Sequence, residues 1–238
     1  MAAALTYTVL SGIIAVAGPA FAGSFSVSPV RIYMKPRDRA VAVAIVNEGN
    51  SELVLQADLN AWSQQPNGAD DLVLSDDLIL SPPIIKLAPN ARQVVRLAQL
   101  KPPDLSKELT YRLVVREVPE VTQLKDKTVQ LPIALALSMP VFITPPNAQR
   151  KLECQLVGAA KALSITCANS GTAYAQVREV LLTRDGNVLT RFNGGVYILP
   201  GASKTWALPA SSPSSAGAAK MNVGLDDGQS QMFDVYLP

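Results

Sequence analysis

Residues Val129–Pro146 read VQLPIALALSMPVFITPP, and their large side chains recur at every second position. In an extended strand alternate side chains point to opposite faces. Val129, Leu131, Ile133, Leu135, Leu137, Met139, Val141 and Ile143 therefore share one face, and Pro132, Ala134, Ala136 and Ser138 the other. The small face is expected to lie close on the protein's own core, which leaves the bulky face in need of a separate apolar cover. Pro132 and Pro140 fall in the same phase, so both missing N–H groups turn toward one neighbour, as suits a strand that is at least partly an edge. A bulky apolar face on an edge strand invites aggregation unless its own sheet closes over it or a partner chain docks there.

The rest of the chain has the same grain. SFSVSPVRIYM, RAVAVAIVNEG, ELVLQADLNAW, DLVLS, PPIIKLA, RQVVRLAQ and LTYRLVVREV are short apolar runs without a helical period. Turn signals separate them at Asn47–Asn50, Gln65–Gly68, Pro89–Asn90 and Lys101–Pro103. With no helical crossover to join parallel neighbours, the spacing predicts an all-β fold of antiparallel sandwiches. Thr144-Pro145-Pro146-Asn147-Ala148 ends the long strand, so we expect two domains, 23–145 and 146–238. AQVREVLLTR, GGVYILP, SKTWALP, KMNVGLDD and QMFDVYLP are the strands expected in the second.

Composition excludes more than it assigns. Hydrophobic residues at 48% and charged residues at 17% describe a folded chain. Lys and Arg number 21 against 19 acids, and no basic run is interleaved with aromatics, so no nucleic-acid partner is expected. The sequence has no histidine, which removes Ser-His-Asp and Cys-His catalysis and the HExxH zinc site. No glycine-rich phosphate loop is present, and we expect no enzyme, no cofactor and no metal. Asp70-Asp71 and Asp76-Asp77 flank LVLS without the ligand spacing of a calcium loop, and read as solvated turns.

From Met1 to Val30 there is no charged residue, and VLSGIIAVA (Val9–Ala17) precedes Ala20-Phe21-Ala22, a small-x-small cleavage pattern. Residues 1–22 read as an export signal lacking the usual basic start, so no stable membrane insertion is expected after cleavage. Cys154 and Cys167 lie in two short strands, KLECQLV and ALSITCAN, joined through Gly158–Lys161. The pair faces across a hairpin, and export to an oxidising compartment favours a disulfide over two buried thiols.

VSPVRIYM (Val27–Met34), SPPIIKLAPNARQVVRL (Ser81–Leu97) and YRLVVREVP (Tyr111–Pro119), followed by the alternating strand, resemble the periplasmic pilus-assembly chaperones of the chaperone-usher pathway. NVGLDDGQSQ is similar to that family's Asn-Asp-Tyr-Gly turn, without the tyrosine. The resemblance implies two immunoglobulin-like β-sandwich domains arranged at an angle, in the periplasm, with pilus subunits and an outer-membrane usher as partners. It also implies that the alternating strand completes the subunit's unfinished sandwich, with Val129, Leu131, Ile133 and Leu135 as plugs and Leu137 as a fifth. Burying four such side chains contributes roughly 6–12 kcal/mol before the costs of association.

In that family an arginine of the first strand and a lysine of the donor strand hold the subunit's C-terminal carboxylate. Arg31 resembles the first, whereas Ser138 stands where the lysine is expected, which forgoes a charge-assisted bond of about 1.5–3 kcal/mol. Arg112 or Arg116 is the substitute to look for, and the departure points to a divergent branch such as the archaic one. The competing reading is a two-domain β-sandwich adhesin or structural surface protein, with the alternating strand buried in its own core.

Overall fold

A computed structural model describes residues 24–100, 102–104, 106–119, 133–159, 162–209 and 216–237. The expected leader, residues 1–22, and the expected plugs Val129 and Leu131 lie outside these residues. Every regular element among them is a strand. In chain order they are β1 (Phe25–Ser28), β2 (Ile32–Met34), β3 (Ala40–Asn47), β4 (Leu53–Gln64), β5 (Asp70–Leu74), β6 (Leu78–Ser81), β7 (Ile84–Leu87), β8 (Arg92–Gln99), β9 (Leu109–Glu117) and β10 (Ala136–Ile143). There follow β11 (Leu152–Ala159), β12 (Ala162–Asn169), β13 (Ala175–Arg184), β14 (Asn187–Ile198), β15 (Ser203–Ala207), β16 (Gly217–Leu225) and β17 (Ser230–Leu237).

Two sheets form the first sandwich. One runs β1-β3-β8-β6, and the other β2-β10-β9-β4-β5 with β7 also paired to β4. Alternation explains the contact between them: Val43 and Ile45 of β3 and Val95 and Leu97 of β8 face Leu55 and Leu59 of β4 and Leu113 and Val115 of β9, all buried in one core. The second sandwich stacks β11-β12-β15 on β14-β13-β16-β17, around Ile165, Val177, Leu182, Ile198, Met221 and Val223. The β11–β12 ladder sets Cys154 directly opposite Cys167, and the two are disulfide-bonded. The architecture is the all-β, two-domain, immunoglobulin-like one.

Three details differ from the sequence reading. SFSVSPVRIYM is two strands in two sheets: β1 pairs with β3 and β2 with β10, because Pro29 has no N–H with which to continue the first ladder. The β2–β10 pairing is parallel. A sandwich can hold such a pair without a helical crossover when most of a domain intervenes in sequence. β6 and the first half of β14 have no counterpart in the expected set, being a run of three aliphatics and a stretch interrupted by polar residues.

Candidate functional site

The alternating segment changes surroundings along its length. From Ala136 to Ile143 it pairs antiparallel with β9, which sets Leu137 opposite Val115, Met139 opposite Leu113 and Val141 opposite Tyr111. Its other edge is covered by β2 only at Val141–Ile143, so Ala136–Pro140 form an open edge among the described residues. The bulky side chains follow this division. Met139, Val141 and Ile143 are buried in the first sandwich, and Leu137 packs against that core. Leu135 is 37% exposed and Ile133 61%. Beyond the strand's first residue, the Glu117 amide still donates to the Leu135 carbonyl at 2.9 Å, keeping the segment alongside β9.

The expectation that the small face sits on the protein's own core is therefore corrected from Leu137 onward. Register decides it: Tyr111, Leu113 and Val115 point into the sandwich, and their partners on β10 are the bulky ones. The opposite phase holds Ser138, Pro140 and Phe142. Phe142, at 0% exposure, leaves its neighbours' core and joins Trp62 and Leu199 in a separate cluster with Tyr174 and Tyr197. It stacks on Tyr174 with centroids 4.0 Å apart, and Trp62 meets Tyr197 edge-on at 5.3 Å. This cluster joins strands of the first sandwich to strands of the second.

Beside it lies an open cleft of about 610 Å³ lined by Arg31, Tyr33, Glu108, Arg150, Tyr174 and Asp226 among others. Arg31 donates through Nη1 to Asp226 Oδ2 at 2.7 Å and through Nη2 to Gln176 Oε1 at 2.5 Å. Asp226 also accepts from the Tyr174 hydroxyl at 2.9 Å and from Arg150 at 3.4 Å, and Arg150 reaches Asp227 at 2.7 Å. The Tyr33 and Tyr174 hydroxyls are 2.8 Å apart. Burial, helped by Tyr33 and Asp226, pushes the Tyr174 phenol up, so it stays a donor. Glu108 is buried, accepting from Thr144 Oγ1 at 2.5 Å and from the Tyr174 amide at 2.6 Å. Burial raises its carboxyl above the ordinary value of 4.5, the two hydrogen bonds opposing.

A second junction lies at the β4–β5 turn. Gln64 donates to the Tyr197 carbonyl at 2.9 Å and accepts from the Leu199 amide at 3.0 Å. Asp70 meets Lys204 at 3.5 Å. At Gly68, φ is +81° and an added Cβ would come within 3.1 Å of Lys204 and Ser203, so both conformation and space call for glycine there. Asp70 thus links the halves rather than bordering a free turn.

The expected cations separate. Arg116 pairs with Asp58 inside the sheet. Arg112 lies over the Trp62 ring, its guanidinium carbon 3.8 Å from the centroid, and 5.4 Å from that of Tyr197. Burial lowers its pKa. Ser138 is exposed, across from Val114. Sequence reasoning placed Arg31 and noted the LDDG turn, but not Phe142, Tyr174, Gln176 or Arg150, and nothing local to those residues marks them.

Residues 24–149 match the family described as pili and flagellar-assembly chaperone, PapD N-terminal domain. Among curated protein sequences, none matches the chain. Similar solved structures include the CsuC–CsuE chaperone–tip adhesion subunit pre-assembly complex from archaic chaperone-usher Csu pili of Acinetobacter baumannii. That chain is 19% identical, with a TM-score of 0.66 over 89% of this chain and 98% of that one. The Pseudomonas aeruginosa CupB2 chaperone is 19% identical, with a TM-score of 0.57 over 90% and 100%. The complex of Salmonella enterica SafA pilin with the SafB chaperone gives 17%, 0.58, 93% and 99%. At these identities the likeness is one of fold.

Proposed function

Because the chain belongs to the family of pili and flagellar-assembly chaperones, we propose that it is a periplasmic, non-enzymatic chaperone that holds pilus subunits by donating a strand and passes them to an outer-membrane usher. Residues 1–22 are then the export signal, 23–145 the donating domain and 146–238 its companion. The observation that carries this reading is the emergence of the bulky ridge from the protein's own core: Ile133 and Leu135 are exposed, next to an open strand edge. An incomplete sandwich added along that edge receives main-chain hydrogen bonds from β10 and the ridge Leu137, Leu135, Ile133, Leu131 and Val129 in its groove. Arg31, in the cleft at the end of that edge, is the proposed anchor for the subunit's terminal carboxylate, although Asp226 and Gln176 already take its terminal nitrogens.

The test is co-expression with a pilus subunit, followed by recovery of the complex. Ile133→Asp with Leu135→Asp places two carboxylates where the groove must be dry, and is expected to abolish recovery while leaving the chaperone's own unfolding transition in place. Undiminished recovery overturns the reading.

A further inference from the structure

We infer that β5 is a docking strand for a second partner, an extended segment with a short apolar centre and basic residues on both sides of it. The sheet runs β2-β10-β9-β4-β5, so β5 pairs with β4 on one side and has no strand on its other side among the described residues. Its three large residues are bare: Leu72 is 44% exposed, Val73 60% and Leu74 73%. Register puts Leu72 and Leu74 on one face, across from Trp62 and Asn60, and Val73 on the other, across from Ala61. An edge with apolar side chains uncovered on both faces is a place where another chain adds. The site does not rest on the chaperone reading. β9 and β4 stand between β5 and β10, a separation of about 14 Å, so a strand added to the edge of β10 does not occupy this one.

Charge decides the occupant. Asp70 and Asp71 precede the apolar residues, and Asp76 and Asp77 follow them after Ser75. Asp70 meets Lys204, and Asp77 accepts from the Tyr111 and Ser75 hydroxyls. Asp71 and Asp76 have neither a cation nor a hydrogen-bond donor at their carboxylates among the described residues. A second copy of the chain fits poorly. Antiparallel self-pairing centred on Val73 sets Asp70 of one copy against Asp76 of the other, and in-register parallel pairing sets each acid against itself. A strand with Lys or Arg at both ends meets an acid at each end instead, and the same acids reject an acidic strand. Because both faces of β5 are apolar, the centre of the partner is a continuous apolar run rather than an alternating one. Main-chain hydrogen bonds to the open edge then hold it, and its charged ends fix the register.

The test uses synthetic peptides and no pilus subunit. In ¹⁵N-labelled full-length protein the amide resonances of residues 70–77 are followed by NMR during titration. Three probes are used: acetyl-KKVIVKK-amide, acetyl-EEVIVEE-amide, and the basic peptide N-methylated through its VIV centre, which removes the main-chain donors there. The first is expected to shift the Leu72, Val73 and Leu74 amides saturably and to slow their hydrogen exchange, and the other two to leave them still. Asp71→Asn with Asp76→Asn should weaken binding about fivefold, and salt at about 0.5 M by a similar factor. Leu74→Thr should weaken it about threefold. Thermal unfolding of each variant confirms that the fold is kept, and sedimentation of the protein without peptide is expected to show no association that Leu74→Thr removes. Shifts at β10 alone, equal binding of the acidic or the N-methylated peptide, or undiminished binding in the Asp71 and Asp76 double variant overturns the inference. Self-association of the wild-type protein that Leu74→Thr abolishes also overturns it, by assigning the edge to a second copy.

Discussion

Glu108 is a carboxyl that the fold has almost closed off from water, between the Thr144 hydroxyl and the Tyr174 amide, with Arg150 and Asp226 nearby. Burial raises its pKa, so the native state holds the proton more tightly than the unfolded chain. Its contribution to stability is then complete at pH values below the ordinary glutamate pKa and is lost as the pH rises through the native value. In urea unfolding from about pH 4 to about pH 8, the stability of the native protein relative to Glu108→Gln should fall as the pH rises. A difference that grows with pH would contradict the assignment. At this scale the sequence was a partial guide. It marked Arg31 by its neighbours, but the acid that meets it lies 195 residues away, and no local pattern carries that information.

β10 is the element on which the proposed function depends, and its two halves have different surroundings. Val141–Ile143 lie between β2 and β9, whereas Ala136–Pro140 pair on one side only. Hydrogen exchange should follow that division, with the amides of Val141, Phe142 and Ile143 the slowest along the strand and those of residues 133–135 the fastest. Adding a pilus subunit should slow exchange at residues 133–138, and an unchanged pattern in a recovered complex would exclude pairing along this edge. Period-two alternation was enough to identify the strand and the shared face of its large residues. It pointed to the wrong face as the inward one from Leu137 onward, because that depends on register against β9, and one residue of slip would exchange the faces. The parallel β2 partner was likewise invisible, since it is fixed by a chain crossing at Pro29 rather than by any pattern within β2.

At the scale of the whole molecule, two separate ties set the sandwiches against each other. One is the Arg31–Asp226–Tyr174 network with the Phe142 stack beside it, and the other is the β4–β5 turn, where Gly68 meets Ser203 and Lys204. Removing Asp226 leaves Arg31 and Arg150 facing each other without the acid they share. Asp226→Ala should therefore cost about 1.5–3 kcal/mol in chemical unfolding, as expected when a partly buried acid that accepts charge-assisted hydrogen bonds is removed. Small-angle scattering should show a wider spread of domain angles, and an unaltered profile with unaltered stability would mean that the aromatic stack alone holds the cleft. A fold of two sandwiches followed from strand spacing, while the joint between them did not, because both ties bring together residues far apart in sequence, Arg31 with Asp226 and the β4–β5 turn with Ser203 and Lys204, and no local pattern pairs them.

The root of β10 is fixed three ways, with Met139, Val141 and Ile143 in one core, Phe142 in another cluster and β2 along its side. On the proposed function, a guest that departs from the outer half leaves this root in place, so the host would need no repair between clients, and a small pool of such reusable jigs would serve a long fibre.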